Sequence, residues 1–577
     1  MLSFNELKRN LKKDTSFCKK IKVSILTENS GQLLSQAIKG YGVEFGYDFE
    51  INECGYNEVN LQVFEPNSQL NSFASDYIII APSVQKLLTH FYSKSISEKN
   101  VFAENQINYW DNIVSVLSSK SNAKVILCNY LEINDSVFGN YSSKVESSFL
   151  FQLRKINYEL MQLSQRKANL FISDVLSLQT QFGLPFILDN KFYINADITF
   201  SIDFLPHLTK NILDIIKSID GKIKKCLILD LDHTIWGGII GDDGVEGIQI
   251  GDLGIGKAYT EIQLWVKQLK ERGIILAVCS KNSENVAKEP FEVHPDMVLK
   301  LDDISVFVAN WETKVDNIKH IQSILNIGFD SMVFIDDNPF ERNLVSENIE
   351  GITVPNLPED PADYLSYLRS LNLFETASFT HEDLVRTDQY REEAKRAVFR
   401  KSFVNEGEYL GGLNMVTKVE GFNKFNTPRV SQLTQRSNQF NLRTTRYSEN
   451  EIEAIGISKD YIPFSFTLSD NFGEHGLISV VILKIQSKDE LFIDTWLMSC
   501  RVLKRGMENF VLNCLVFKAK EIGYKTIVGE YIQSSKNLIV QNHYEDLGFK
   551  NKENYWILEV DNYIEKKTYI QHNQVNV

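Results

Sequence analysis

Cysteine is scarce in this chain: seven residues in 577, an odd number, with no C-x-x-C pair. Cys18, Cys54, Cys128, Cys226, Cys279, Cys500 and Cys514 are scattered, which argues against a disulfide framework or a cysteine zinc site and points to a reduced, cytoplasmic chain. Long basic runs are also missing. Net charge is −14, so neither nucleic acid nor an anionic membrane is an expected partner. No apolar stretch approaches the length of a membrane span, and the polar, lysine-rich start over residues 1–20 has no apolar centre of a signal peptide. Internal repeats and low-complexity tracts are absent. What remains is an ordinary globular composition, 43% hydrophobic and 24% charged. At 577 residues the chain is too long for one core, and about three domains are expected.

The most informative stretch is Asp230-Leu231-Asp232-His233-Thr234, which follows the apolar run Cys226 to Leu229. Two carboxylates two residues apart leave the tip of a strand together. One can attack phosphorus while the other gives and takes a proton. A lone D-x-D is equally a solvated acidic loop, but three further segments stand in order behind it. Ile274 to Ser280 reads as a buried strand with a hydroxyl at its tip, Lys314 opens a helical pattern, and Met332 to Ile335 is a strand ending in Asp336-Asp337. Strand ends of a parallel sheet share one crevice. A carboxylate nucleophile, a phosphate-binding hydroxyl, a lysine and an acidic metal ligand are therefore expected to meet there.

The organisation expected is four segments: 1–218, an α/β domain; 219–372, the phosphotransferase domain; 373–403, a charged helical connector; and 404–577, a unit of mixed strand and helix order. In the first, strands are expected at Ile21–Leu26, Asp76–Ile80, Lys124–Cys128 and Leu170–Asp174, with helices at Gly31–Tyr41 and Ser142–Lys167. In the second, the helix Lys257 to Arg272 stops at Gly273. The spacings from Asp232 to Ser280 and from Ser280 to Lys314 leave no room for a full cap domain. The cleft is then open to a large substrate or covered by flanking domains.

The four motifs together resemble the haloacid dehalogenase (HAD) phosphotransferase superfamily. Trp236-Gly237-Gly238, Ala277-Val278-Cys279-Ser280-Lys281-Asn282, Ala309-Asn310-Trp311-Glu312-Thr313-Lys314 and Phe334-Ile335-Asp336-Asp337-Asn338-Pro339-Phe340-Glu341-Arg342 are similar to its FkbH-like branch, subfamily IIIC. So are Gln432 to Asn441 and Asp494 to Arg501. His233 stands where that branch usually has Asn. The resemblance implies a Rossmann-like parallel sheet without a large cap, with Asp230 as nucleophile and Asp232 as general acid/base. It also implies Mg²⁺ between Asp230, the backbone carbonyl of Asp232 and Asp336, with Asp337 further out and Lys314 and Ser280 on the phosphoryl oxygens. FkbH-like proteins are implicated in loading a glyceryl group from 1,3-bisphosphoglycerate onto an acyl carrier protein. In such a reaction Cys279 would offer a thiol beside Ser280, its pKa depressed by Lys281 and Lys314; the alternative is a buried strand-end cysteine. Cys500 is a second candidate.

The last segment resembles a GNAT-type acyltransferase of α+β build. That fold binds a pantetheine pyrophosphate at a helix N-terminus, here over Arg501-Val502-Leu503-Lys504-Arg505-Gly506, with Tyr544 in the position of a general acid. Lys504 replaces the usual middle glycine. A pantetheine-bearing carrier or coenzyme A is the ligand this implies, and a non-catalytic docking domain is the alternative. The first segment looks like an SGNH-hydrolase or flavodoxin-like sheet without that family's G-D-S. Asp203 to His207 is one residue too long for that family's D-x-x-H, so this domain is expected to be non-catalytic, with Ser30 and His207 the candidates if it is not. The functional expectation is a Mg²⁺-dependent phosphatase and acyl transferase. Its rivals are a plain phosphatase in glycan or secondary-metabolite assembly and a carrier-binding scaffold.

Overall fold

The computed structural model describes residues 2–379, 389–390, 392, 395–396, 399–400, 402–499, 502–534 and 536–576, apart from Tyr56. About half of the expected connector, 373–403, lies outside these residues. The chain divides into two compact units, Met1–Lys217 and Ser218–Val577. No helix among the described residues is long and apolar enough to cross a membrane.

The first unit is built on β1 (Lys19–Thr27), β2 (Tyr47–Glu53), β3 (Tyr77–Ala81), β4 (Lys124–Cys128) and β5 (Leu170–Ser173), all parallel in the order β2-β1-β3-β4-β5. Val23, Ile79, Val125 and Leu127 are buried because helices cover both faces, which is why these strands read as continuous apolar runs. The long helix expected from Ser142 begins instead at Phe149, since the Ser148 hydroxyl accepts the N–H of Phe151 and caps it. The residues before it form a 3₁₀ turn, Gly139–Lys144.

The second unit contains two sheets. The smaller consists of β6 (Cys226–Leu229), β7 (Ile275–Ser280), β8 (Val306–Ala309) and β9 (Met332–Ile335), parallel in the order β8-β7-β6-β9. Period-2 alternation sorts its side chains. Leu227, Leu229 and Val278 join one core, Cys226, Ile228 and Cys279 the other. Between β6 and β7 lie the short helix Ile240–Gly247 and the helix Gly254–Glu271 but no further sheet, so no insertion of cap size separates these two strands.

The larger sheet is mixed: β10 (Val416–Glu420), β11 (Tyr461–Asp470), β12 (Gly473–Ile485), β13 (Glu490–Met498), β14 (Thr526–Glu530), β15 (Lys550–Lys552), β16 (Tyr555–Glu559) and β17 (Gln571–Asn576), in the order β15-β16-β14-β13-β12-β11-β10-β17. One face carries Phe464, Val481 and Trp496 in a core with Phe510 and Leu515 of the helix Met507–Ile522. The other packs Val480 and Leu497 against Val430 and Leu433 of the helix Thr427–Arg436. Strands β13 and β14 pair only over Glu490–Phe492 with Thr526–Val528 and then part. The segment Phe440–Leu442 fills the gap. Leu442 N donates to Trp496 O, Met498 N to Phe440 O, and Ile532 N to Leu442 O (3.1, 3.0 and 2.8 Å). The loop after the helix Thr427–Arg436 also staples the two sheets. Asn438 donates to the Gly221 carbonyl at 2.9 Å, and Gly221 has φ +75 where a Cβ would lie 2.3 Å from the Gln435 carbonyl.

Candidate functional site

Strands β6, β7 and β9 end side by side and bring Asp230, Ser280 and Asp336 together; Asp230, Ser280 and Asp337 line an open cleft of about 540 Å³, while Asp336 is fully buried. Lys314 is the first residue of the helix Lys314–Leu325, capped by the Thr313 hydroxyl on Asp316 N. Its ammonium, 3% exposed with the residue, bridges the carboxylates of Asp230 (Oδ1 at 3.0 Å) and Asp336. Burial alone would lower the lysine's pKa, but the two carboxylates override it and hold the amine charged. Burial pushes the Asp230 carboxyl up; Lys314 pulls against this and Asp336 adds to it.

Side-chain oxygens of Asp230, Asp336 and Asp337 all lie within 4.8 Å of one another. Three carboxylates answered by one lysine leave negative charge uncompensated. Hard oxygen donors this close fit a small divalent cation such as Mg²⁺. Asp337, expected further out, therefore joins the inner group. Burial raises its carboxyl, as does Asp336, while His233 opposes. The turn is pinned by Arg342, whose Nη1 donates to the carbonyls of Asp336 and Asp337 (2.8 and 2.6 Å), and by Thr234, whose hydroxyl accepts Asp337 N at 3.1 Å.

The Asp232 side chain stands outside that group. Its Oδ1 accepts Trp236 Nε1 (2.8 Å) and Ile240 N (3.0 Å), and its Oδ2 accepts Asn282 Nδ2 (2.9 Å). Asn282 also donates to Ser280 Oγ at 3.2 Å, so one amide orients the acid and the hydroxyl together. The glycine-rich flap is thereby tied to the acid. His233 has φ +54, a left-handed conformation that Asn and His tolerate better than most residues. This accounts for the exchange of Asn for His at that position. Reading the sequence assigned no role to Asn282, Thr234 or Arg342, although each lies within a quoted motif.

Cys279 corrects an expectation. Its side chain points away from the cleft, is 0% exposed and packs with Val308, Val315 and Ile318. Burial pushes the thiol well up; Lys314 lowers it only in part. The residue is the buried strand-end cysteine, not an activated thiolate. Neighbouring Lys281 is paired with Glu341 at 2.6 Å.

The loop expected to hold a pantetheine is described only from Val502 on. Cys500 and Arg501 lie outside the described residues. Lys504 is exposed with φ +63, and Gly506, φ +78, caps the helix Met507–Ile522. Arg505 is buried and donates to His475 Nε2 (2.8 Å) and Asp470 Oδ2 (3.3 Å) rather than facing a ligand. Burial raises the carboxyl of Glu508, in the first turn of that helix. Tyr544 is enclosed, packed against Gly529 and Phe549, and burial raises its phenol; it meets no cleft. In the first unit, Ser30 lines a crevice of about 20 Å³ and donates its N–H to Asp197 O, while His207 packs against Phe182 with ring centroids 4.1 Å apart and planes tilted by 51°. Among the described residues no hydrogen bond joins Ser30 and His207.

The family model described as FkbH, N-terminal domain, matches residues 22–217. Among solved structures, the N-terminal part of the protein BF1531 from Bacteroides fragilis, containing a phosphatase domain and complexed with Mg, is 53% identical. The match covers 66% of this chain and 100% of that one, with a TM-score of 0.64. The ribosomal-protein-S18-alanine N-acetyltransferase from Escherichia coli is 17% identical over 25% of this chain and 94% of its own, with a TM-score of 0.21, too slight a likeness to inform the reading of that region. No curated protein matches. A chain that spans the whole of a relative at 53% identity, and matches the FkbH N-terminal domain alongside it, belongs to the FkbH-like family.

Proposed function

We propose that this chain is a Mg²⁺-dependent phosphatase of the haloacid dehalogenase type. Its substrate class is a small phosphorylated acyl donor such as 1,3-bisphosphoglycerate, whose glyceryl group passes to an acyl carrier protein. One observation carries the phosphatase: Lys314 bridges Asp230 and Asp336 in a cluster that also holds Asp337. The Mg-bound relative supports the metal. Asp230, Asp336 and Asp337 would hold Mg²⁺, which when bound neutralises charge on the phosphoryl group.

The residues divide the work by position. A carboxylate oxygen of Asp230 attacks phosphorus; the bond from phosphorus to the leaving oxygen breaks, and Asp232 delivers a proton to that oxygen. Water then attacks the aspartyl-phosphate, Asp232 takes its proton, and phosphate leaves with Asp230 restored. Lys314 and Ser280 stabilise the phosphoryl oxygens. Beyond the phosphate, a substrate meets Trp311, which lines the cleft while 74% exposed, and Ile239 of the flap.

Asp232→Asn is expected to slow turnover of alkyl phosphates by about 10²–10⁴-fold, while phosphoryl-enzyme still forms from an ester with a good leaving group. Rapid-quench trapping on both ester types checks this; equal losses on the two would remove the general-acid role.

A second reading, a plain phosphatase, is favoured by the burial of Cys279. Incubation with 1,3-bisphosphoglycerate and a carrier protein separates the two. Intact-mass analysis is expected to show a glyceryl adduct on the carrier thiol. Phosphate release without any adduct would leave the plain phosphatase standing.

A further inference from the structure

Among the described residues, three donors meet the Asp232 carboxyl, and they meet its oxygens unevenly. Oδ1 accepts two of them, Trp236 Nε1 and Ile240 N, at 2.8 and 3.0 Å. Oδ2 accepts one, Asn282 Nδ2, at 2.9 Å. A carboxylate offers about two lone-pair sites on each oxygen. Oδ1 is therefore full, and the site left for a proton is on Oδ2. The same Asn282 nitrogen donates to Ser280 Oγ at 3.2 Å, so its two N–H groups are divided between the acid and the hydroxyl. Chemistry fixes which way the amide faces, because an ionised carboxylate only accepts and must meet the nitrogen rather than the oxygen. A hydroxyl that accepts from an amide turns its own hydrogen elsewhere. Ser280 then has that hydrogen for the cleft, which it lines together with Asp232 and Asn282.

Resting on the phosphatase reading above, we propose that Asn282 is a positioning residue for both halves of phosphoryl transfer. It selects Oδ2 of Asp232 as the oxygen that carries the proton, and it fixes the Ser280 hydroxyl as a donor to the phosphoryl group. In the first half, Asp230 bonds to phosphorus, the bond to the leaving oxygen breaks, and the proton on Asp232 Oδ2 passes to that oxygen. In the second half, water bonds to phosphorus, its proton goes to Oδ2, and the bond between Asp230 and phosphorus breaks. Asn282 gives up no atom in either. It acts by holding two groups in register, and it does so from a protected place: Asn282 is 4% and Ser280 1% exposed, so bulk water competes little for either contact.

The test compares wild type with Asn282→Ala and with Asn282→Leu, which has a similar shape and no donor. Each is assayed on an alkyl phosphate and on p-nitrophenyl phosphate, with rapid-quench trapping of the phosphoryl-enzyme. Both variants are expected to lose about 10- to 100-fold in kcat on the alkyl ester, the worth of one hydrogen bond to a charged group. Phosphoryl-enzyme formation from the aryl ester is expected to fall far less, because nitrophenolate leaves without a proton. Its hydrolysis still needs Asp232 to take a proton from water, so the steady-state share of phosphoryl-enzyme is expected to exceed that of wild type. A residue that only supports the fold would lower both esters alike and would not raise that share. Thermal melts check folding, and a variant that is unfolded leaves the decision to the other. Equal losses on the two esters, or rates that neither variant changes, would overturn the proposal and leave the phosphatase standing. A wild type that forms no phosphoryl-enzyme from either ester would overturn the phosphatase reading and this assignment with it.

Discussion

Asp230→Asn is expected to cut Mg²⁺-dependent hydrolysis of a small phosphate ester by at least about 10³-fold, as removal of a nucleophile does in covalent catalysis. The amide has nearly the same volume, so the fit of β6 into the sheet is kept. What changes is the chemistry. An amide oxygen is a poor nucleophile, and it gives the metal neither the charge nor the binding strength of a carboxylate. Lys314 keeps its contact with Asp336, so the lysine does not become a lone buried charge. Removing one of three crowded carboxylates also relieves repulsion, and stability in the absence of Mg²⁺ is expected not to fall. Initial rates with and without a chelator, beside a thermal melt, measure both. A variant with near-wild-type turnover would exclude the aspartyl-phosphate route.

Asp470→Asn is expected to destabilise the second unit by about 3–5 kcal/mol, the cost of leaving a buried charge without its partner. Asp470 ends β11 and is fully enclosed. Its Oδ2 and Oδ1 accept Arg396 Nε and Nη2 at 2.7 and 2.8 Å, and Arg505 stands at 3.3 Å. With the carboxylate gone, Arg396 and Arg505 lose the charge they share, and Glu392 at 3.6 Å from Arg396 is more exposed than Asp470. Burial works against the carboxyl, but His475 and Arg396 beside it hold it well below the usual range. It therefore contributes stability above its unfolded pKa that is lost as pH falls through the folded value. His475 acts in the same direction for a different reason. Burial and the nearby arginines push it from 6.5 down to about 4, against the pull of Asp470. Between those values the unfolded chain binds a proton that the folded chain refuses, so stability falls as pH drops from 6.5 to 4. Urea unfolding at pH 7, 5.5 and 4.5 is expected to show this slope in the wild type and a flatter one in His475→Gln. A loss below about 1 kcal/mol for Asp470→Asn would show that the arginines find other partners.

The phosphotransferase site was legible because its residues sit at strand ends. A buried parallel strand writes itself as a short apolar run, so Cys226–Leu229, Ile275–Ser280 and Met332–Ile335 were visible, and the polar residue after each was placed with it. Three parallel strands that pair side by side then have no freedom to send their tips elsewhere. The orienting residues were not legible. Asn282 reaches Asp232 and Ser280 only because the chain turns back after β7, and Arg342 reaches two carbonyls from a helix that starts beyond them. Neither contact follows from spacing.

The case of Cys279 marks the same boundary from the other side. Adjacency to Ser280 in sequence suggested a shared site, yet alternate residues of a strand point to opposite faces, and the thiol is sealed in the core that Ser280 turns away from. The GNAT-like pattern meets the same boundary: Gly506 stands where the pattern puts its last glycine, but neighbouring Arg505 is spent on Asp470 and His475, a pairing that spacing does not reveal. By itself the sequence determined the strands, the order of the catalytic motifs and the family, because each is written in local periodicity and short-range spacing. Only the tertiary structure decided which side chains share a face and which buried charges are already paired. Those depend on contacts between residues far apart in the chain, which no local pattern encodes.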